Sequence, residues 1–286
     1  MPIRRIDHRD LDLAALTAAK GARTTSVCLP ARNEAATVGE IVTRIATHPL
    51  VDEVVVVDDH SSDGTGEAAL AAGATVVRSA EVLVEHGEGP GKGQALWKAV
   101  ASSTGDVVAF CDADLRDFQP HFITGLLGPF LLDADLAFVK AYYQRPGSDG
   151  SPRGGGRVTE LVARPLLHLL FPHLADLVQP LAGEFAARRD VFEAVPFVEG
   201  YGVDIGLVID IARDFGVDAM AQVDLGTRKH RNRPLDDLGP MATVVLMTML
   251  RRAGIEGIPA EVLLDRIDLP VVPVRWAERP PLASLR

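Results

Sequence analysis

The chain has 286 residues, of which 47% are hydrophobic and 24% are charged, and it carries a formal net charge of −10. This composition is typical of a soluble globular protein and excludes a disordered or collagen-like chain, while the acidic balance disfavours a general nucleic-acid binder. Cys28 and Cys111 both lie in apolar, strand-like runs. A disulfide framework is therefore not expected, and a reducing cytoplasm is the simpler assumption.

Neither end of the sequence contains a segment that predicts export or membrane insertion. Residues 1–21 carry charges scattered through their only apolar segment, so they lack the uninterrupted apolar region of a secretory signal. The apolar run at 241–250 is far shorter than the ~20 residues that span a bilayer. It predicts a helix packed on protein, and we expect a cytoplasmic protein with no membrane partner.

Strand-like and helix-like segments alternate through the first 115 residues. Short runs rich in valine are separated by amphipathic stretches, which predicts parallel strands joined by crossover helices. In such sheets ligands bind outside the carboxyl ends of the strands, so the loops that follow the strands are the candidate site. In chain order we predict strands at 26–30, 51–59, 74–79 and 106–114, and helices near 36–47, 64–72 and 92–103.

Three of these strands end in polar loops, at residues 30–34, 58–62 and 112–114. Carboxylates accept hydrogen bonds from sugar hydroxyls and base NH groups, while a diphosphate needs a cation. Several acidic strand ends on one edge therefore indicate a nucleotide and metal site. In the second loop Asp58 and Asp59 are the better ligand candidates, because Ser62 or Asp63 can cap the following helix.

Asp112 and Asp114 stand one residue apart at the end of the fourth predicted strand. Repulsion between the two carboxylates requires an offset, which solvent, a cation such as Arg116 or a divalent metal can supply. A DxD triplet in an acidic chain is weak evidence alone, because a solvated turn has the same pattern.

The loop GEGPGKGQALWKA at 87–99 places four glycines and Lys92 just before a predicted helix. The spacing does not fit a Walker A motif, so a P-loop NTPase is disfavoured. Lys92 can still face an anion, because glycines let the backbone approach and a helix N-terminus favours negative charge. The alternative for this loop alone is a flexible surface segment.

With these motifs the chain resembles the retaining glucosyl-3-phosphoglycerate synthases, which are cytoplasmic GT-A glycosyltransferases. The resemblance runs from about Thr25 to Leu235. It rests on LPARNE at 29–34, VVDDHSSDGT at 56–65, GPGKGQALWKA at 89–99, CDADLRDF at 111–118, GGGRVTELVARPLL at 154–167, QPLAGEFAARR at 179–189 and HRNRPL at 230–235.

The resemblance implies a single domain with the GT-A (nucleotide-diphospho-sugar transferase) fold: α/β, with a mixed, mostly parallel central sheet flanked by helices. Within residues 1–286 we expect a nucleotide-sugar-binding half at about 25–115 and an acceptor-binding half at about 116–235. Residues 236–286 would then form a C-terminal helical tail.

The implied reaction transfers glucose from UDP-glucose to the 2-hydroxyl of 3-phosphoglycerate, with Mg²⁺ or Mn²⁺ on the diphosphate. A homodimer is also implied. Asp114 is expected to be the main metal ligand and His230 the second. Without the resemblance, a lone histidine between Lys229 and Arg231 is more often a basic surface residue.

The resemblance also assigns roles on the donor side. Asp114, Lys92 and Leu181 are expected to carry catalysis, with Lys92 as a cation beside the donor and the Leu181 carbonyl near the reacting hydroxyl. The donor contacts are expected to be Pro30, Ala31, Glu34 and Asp59 for uridine, Asp112 and Ala113 for the nucleotide sugar, and Glu184, Tyr201 and Asp204 for the sugar.

An acceptor that carries a phosphate and a carboxylate needs several positive or NH donors, and the GGGRVTE run at 154–160 offers them. Arg157 can bind an oxyanion bidentately, and Thr159 can add a hydroxyl. A flexible linker that ends in an ordinary capped helix remains the alternative. The resemblance assigns Gly156, Arg157 and Thr159 to the acceptor phosphate, with Arg228 and Asn232 as neighbours.

Retention of configuration is compatible with a double displacement on Glu184 or Asp204. A front-face mechanism, in which the leaving phosphate accepts the acceptor proton, is favoured because the resemblance implies no established protein nucleophile.

Three other functions stay open. They are mannosyl-3-phosphoglycerate synthesis from GDP-mannose, an inverting polyprenyl-phosphate glycosyltransferase, and a non-catalytic nucleotide-sugar-binding protein.

Overall fold

The computed structural model of the protein describes residues 2–89, 91–145, 156–228 and 234–286. The strands in these ranges are β1 (Arg4–Asp7), β2 (Thr25–Ala31), β3 (Glu53–Asp58), β4 (Thr75–Arg78), β5 (Val107–Phe110), β6 (Phe138–Gln144), β7 (Phe185–Arg188), β8 (Phe197–Val198), β9 (Met220–Thr227), β10 (Glu261–Arg266), β11 (Leu269–Arg275) and β12 (Glu278–Arg279). The helices are α1 (Leu13–Ala19), α2 (Val38–Ala46), α3 (Thr65–Ala71), α4 (Lys92–Ser102), α5 (His121–Leu132), α6 (Arg164–Leu170), α7 (Arg189–Ala194), α8 (Val203–Phe215) and α9 (Leu238–Arg252).

Eight strands form one central sheet in the order β1-β9-β6-β7-β5-β2-β3-β4. Strand β7 pairs antiparallel with β5 and β6, and the other neighbours pair in parallel. The mixed, mostly parallel sheet expected from the sequence is confirmed. The predicted strands and helices of the first half correspond to β2 to β5 and α2 to α4.

The sheet is covered on both faces, which explains why its inner strands are apolar at almost every position. Along β2, Val27 and Leu29 belong to one core cluster, with side chains from α2 and α5. Cys28 faces the opposite cluster, with side chains from α4 and α8. This alternation follows from the two-residue period of a strand between two helical layers. Both cysteines are buried and free, as expected.

The C-terminal region differs from the helical tail that the sequence predicted. Within residues 236–286 the one α-helix is α9, and it packs against α8. The following residues form the antiparallel hairpin β10–β11, and β12 pairs with β8. Val262, Val272 and Val274 favour strands, and Pro270 and Pro273 exclude a helix because proline lacks the backbone NH. None of the described helices is long and apolar enough to cross a membrane.

Candidate active site

The polar loops after β2, β3 and β5 converge on a cavity of about 610 Å³. The predicted site residues that line it are Pro30, Ala31, Glu34, Asp59, Lys92, Asp112, Ala113, Asp114, Gly156, Arg157, Thr159, Leu181, Tyr201, Asp204 and Arg228. Glu184 is described but does not line the cavity, and His230 and Asn232 lie outside the described residues. The convergence follows from parallel pairing, which brings the carboxyl ends of these strands to one edge.

Hydrogen bonds between two loops form the wall at the β2 and β3 end of the cavity. The backbone NH of Glu34 donates to Thr65 Oγ1 at 2.8 Å, and that of Ala35 donates to Asp63 Oδ2 at 3.1 Å. Asp63 also accepts the backbone NH of Thr65, but the N-cap of α3 is Gly64, with no side-chain cap hydrogen bond, so the capping expected of Ser62 or Asp63 was wrong. Asp58 instead accepts the backbone NH of Ser61 at 3.0 Å. Asp58 is absent from the cavity lining, so Asp59 alone is the ligand candidate in this loop.

Lys92 is the first residue of α4 and has two carboxylate partners. Its Nζ lies 3.1 Å from Asp112 Oδ1 and 3.5 Å from Asp204 Oδ2. Burial opposes the charge of Lys92, but Asp112 and Asp204 outweigh that effect and raise its pKa above the ordinary value. An ion-paired lysine at a helix N-terminus is placed to bind an anion, and it is not part of a flexible surface segment.

The helix that carries Lys92 approaches β8 too closely for any side chain at Gly93. A Cβ atom there would lie 1.9 Å from the carbonyl oxygen of Val198. The last glycine of the GPGKG motif is therefore required for packing, whatever the loop binds.

The C-terminal segment holds the loop that precedes Lys92, a contact that sequence reasoning missed. Arg279 in β12 lies 3.0 Å from Glu199 and donates to the carbonyl of His86 at 2.6 Å. The indole NH of Trp97 donates to the carbonyl of Pro280 at 2.9 Å. No local motif marks these residues, because the contacts join residues that are 183 and 193 positions apart in the chain.

The carboxylates of Asp112 and Asp114 follow β5 and share one guanidinium group. Arg228 Nη2 lies 3.0 Å from Asp112 Oδ2 and 3.4 Å from Asp114 Oδ1. Burial opposes ionisation of Asp112, but Lys92 and Arg228 hold its pKa well below the usual range. Burial, reinforced by the charge of Asp112, raises the pKa of Asp114. A Cβ at Gly183 would lie 2.3 Å from Asp112 Oδ2, so this glycine makes room for the carboxylate.

Asp114 offers an oxygen ligand suited to a hard divalent cation. Its side chain is 49% exposed at the cavity edge, whereas that of Asp112 is 24% exposed and paired with two cations. Within the described ranges, no group of three or more histidine, cysteine or acidic side chains could hold a metal ion. A metal bound to Asp114 would therefore need further ligands from outside the described side chains, such as a bound diphosphate or water.

Behind the cavity wall, a buried cluster fixes the position of Arg228. Glu184 is fully buried, and its Oε2 accepts a hydrogen bond from Tyr143 at 2.8 Å and lies 3.1 Å from Arg228 Nη1. Burial raises the pKa of Glu184 in spite of Arg228. This position differs from the direct sugar contact that the sequence predicted. Glu184 follows a buried turn into β7, so its carboxylate supports Arg228.

The predicted acceptor residues Gly156, Arg157 and Thr159 line the cavity just before α6. Gly156 has a φ of +80°, which favours glycine, and its carbonyl accepts the NH of Glu160 at 2.9 Å as the helix begins. Arg157 and Thr159 then face the cavity. Thr159–Ala163 is a π-helical turn that continues into α6, a feature frequent at functional sites.

Sequence reasoning missed three residues in or near the site: Lys140 and Tyr143 in β6, and Arg145 directly after it. Arg145 lines the cavity beside Gly156 and donates to Tyr143 Oη at 2.8 Å. Lys140 is buried and lies near Asp204. The one available signal was a lysine in the middle of the apolar run FVKAYY, because a buried lysine requires a partner.

Comparison with known proteins gives a consistent result. Residues 26–195 match the model of glycosyl transferase family 2. The chain is 47% identical to glucosyl-3-phosphoglycerate synthase of Mycolicibacterium smegmatis, over 96% of this chain and 94% of that protein. It is 45% identical to the protein of the same name from Mycobacterium tuberculosis, over 96% of this chain and 90% of that one.

The fold is similar to a crystal structure of glucosyl-3-phosphoglycerate synthase from Mycobacterium tuberculosis in complex with Mn²⁺, UDP-glucose and phosphoglyceric acid. The TM-score is 0.91 and the sequence identity 44%, and the match covers 100% of both chains.

Proposed function

Because the chain belongs to the glucosyl-3-phosphoglycerate synthase family, we propose that it transfers glucose from UDP-glucose to the 2-hydroxyl of 3-phosphoglycerate with a divalent metal. One observation carries the proposal. A single cavity brings the acidic strand ends and Lys92 together with Arg157, Thr159 and Arg228. The first group suits a metal-bound nucleotide sugar, and the second suits a small, highly anionic acceptor.

Asp114 and His230 would hold Mg²⁺ or Mn²⁺, which would neutralise charge that develops on the leaving diphosphate. Lys92 would supply a second positive charge on the same side, from the N-terminus of α4. Because Lys92 already pairs with Asp112 and Asp204, it is held in place before a donor arrives. Such pre-organised charge stabilises a transition state more than mobile charge does.

The acceptor end combines several cations. Arg145 and Arg157 line the cavity near Gly156, and Arg228 lines it while paired with Asp112 and Asp114. A phosphate and a carboxylate on one small molecule need this density of donors, and guanidinium groups bind such groups bidentately. We propose that Arg157 and Thr159 bind the acceptor phosphate, with Arg228 and Asn232 as neighbours.

The environment of the two candidate nucleophiles supports the front-face mechanism. Glu184 is fully buried and bonded to Tyr143 and Arg228, so it has no approach to a sugar carbon. Asp204 lies between two ammonium groups, and a carboxylate paired in this way is a poor nucleophile. We propose that the leaving phosphate accepts the proton of the acceptor hydroxyl, with Leu181 lining the reaction space.

The family and the exposed apolar side chains of the hairpin β10–β11 support a cytoplasmic homodimer. Leu263 and Ile267 are 69% and 91% exposed there, more than apolar side chains of a monomer usually are. Light scattering of the purified chain, whose monomer mass is 30.6 kDa, measures the oligomeric state directly.

A screen of donors and acceptors tests the proposal. Release of UDP from UDP-glucose is expected to require both 3-phosphoglycerate and a divalent metal, and GDP-mannose is expected to be a poorer donor. Faster transfer from GDP-mannose would identify a mannosyl-3-phosphoglycerate synthase. Transfer to a polyprenyl phosphate would indicate the inverting class. Binding of UDP-glucose with no turnover on any acceptor would indicate a binding protein.

A further inference from the structure

Lys140 is a buried ammonium group at the centre of β6. Its side chain is almost fully enclosed, and its Nζ has no hydrogen-bond partner in the part of the chain that the structure describes. The ring centre of Phe185, its register partner in β7, lies 4.4 Å from Nζ. A buried charge with so little compensation is unfavourable, and an apolar residue of similar size would usually be more stable there.

The one carboxylate within ion-pair distance of Lys140 in the described ranges belongs to Asp204. Lys140 Nζ lies 3.6 Å from Asp204 Oδ1, and that oxygen also has no hydrogen-bond partner among the described residues. Asp204 is in the first turn of α8 and lines the cavity. Its other oxygen, Oδ2, lies 3.5 Å from Lys92 Nζ. Asp204 is therefore held between one ammonium at the cavity and one behind it.

These two ammonium groups differ in what else they contact. Lys92 also pairs with Asp112 and lines the cavity, where it would meet the diphosphate of a donor. Lys140 has no access to the cavity, so a bound donor cannot draw its charge away from Asp204. When Lys92 engages a phosphate, Lys140 is the cation that remains dedicated to Asp204.

We propose that Lys140 is a positioning residue for the donor sugar, which holds the Asp204 side chain oriented so that its carboxylate accepts hydrogen bonds from glucose hydroxyls. The inference rests on the proposed function, in which Asp204 contacts the sugar. Burial lowers the pKa of Lys140 to about 8, with Asp204 and Glu184 opposing that effect and Lys92 adding to it. The group is thus still protonated at pH 7.

The test compares UDP with UDP-glucose in the full-length protein with Mn²⁺. For Lys140→Met, we expect the Kd of UDP to stay within about 2-fold while kcat/KM for UDP-glucose falls roughly 10-fold or more, as for a coupled contact pair. Any change in the thermal midpoint should be small, because Asp204 keeps its ion pair with Lys92 in this variant. Lys140→Gln provides the same comparison if the methionine variant does not fold.

A double-mutant cycle tests whether Lys140 acts through Asp204. Asp204→Asn alone should lose UDP-glucose turnover, and adding Lys140→Met should cause less than about a further 2-fold loss. Lys98→Met is the matched control, because Lys98 is also a buried lysine but donates to the carbonyl of Ser79, away from Asp204. Its KM for UDP-glucose should stay within about 2-fold of the wild-type value.

Equal weakening of UDP and UDP-glucose in Lys140→Met, or multiplicative losses in the double mutant, would overturn the inference. Either result would mean that Lys140 supports the sheet and not the sugar site. Evidence against the proposed function can be distinguished from evidence against this role of Lys140. If the wild type uses a different sugar nucleotide, the same comparison with that donor and its nucleotide still tests Lys140.

Discussion

At the scale of single residues, Asp114 combines high exposure with a position that suits a metal. Asp114→Asn keeps the size of the side chain and removes its charge, so we expect transfer to fall by about 100-fold or more. The thermal midpoint should be unchanged, because the side chain is half exposed. UDP release in saturating Mn²⁺ measures the effect. Full activity of this variant, or of the wild type in excess EDTA, would contradict the metal assignment.

Arg157 separates acceptor binding from donor binding. Arg157→Ala removes a charge-assisted bidentate contact, for which a loss of roughly 10- to 1000-fold in kcat/KM for 3-phosphoglycerate is expected. Arg157→Lys should recover only part of this loss, because an ammonium lacks the planar fork. Steady-state kinetics with 3-phosphoglycerate and with glycerate, which has no phosphate, provide the measurement. If both acceptors suffer equally, or if affinity for UDP-glucose falls, Arg157 does not bind the phosphate.

At the scale of secondary-structure elements, the position of Lys92 depends on how closely α4 packs against β8. In Gly93→Ala the new methyl group would collide with the Val198 carbonyl, so the start of the helix must move. A displacement of about 1 Å at a catalytic group can reduce turnover roughly 100-fold, and we expect a loss of that order.

Gly39→Ala is the control for this prediction, because it adds a methyl in α2 with only an ordinary contact, 3.6 Å from the carbonyl of Ala68. Alanine also has the higher helix propensity, so this variant should be active and at least as stable. Thermal melts and donor kinetics of both variants check the prediction. Wild-type donor kinetics in Gly93→Ala would show that α4 can shift without disturbing Lys92.

At the scale of the whole molecule, the buried charge of Lys140 should make stability depend on pH. Burial lowers the pKa of Lys140 to about 8 in the folded chain, from an ordinary value of 10.5. Below pH 8 both states hold the proton, and the folded state bears the full unfavourable burial. Between those two values the folded state releases the proton while the unfolded state retains it, so stability rises with pH.

Lys140→Met lacks this titration. We therefore expect the wild type to gain stability relative to the variant as the pH rises from about 8 towards 10.5. Urea denaturation of both proteins at several pH values measures the difference between their free energies of unfolding. Because the other titrating groups are the same in both proteins, their contributions largely cancel. Parallel stability profiles would show that folding leaves the pKa of Lys140 unchanged, so that burial does not oppose its charge.

Several features of this protein were determined by its sequence alone. The valine-rich runs between amphipathic stretches predicted the parallel strands, and the acidic strand ends with the GPGKG loop predicted the cavity. These features depend on local period and spacing, which the printed sequence carries directly. Asp112, Asp114 and Lys92 could be placed at one edge of a sheet for the same reason.

Tertiary structure decided the features that join distant parts of the chain. Lys92 meets Asp204 across 112 residues, and Arg279 reaches Gln94 across 185. Glu184 was predicted to bind the sugar and instead holds Arg228, because a fully buried carboxylate takes the cation that packing brings to it. Lys140 and its partner Asp204 are also far apart in the sequence and meet only in the folded chain. Such pairings depend on how the layers stack around the sheet, and no local pattern in the sequence encodes that stacking.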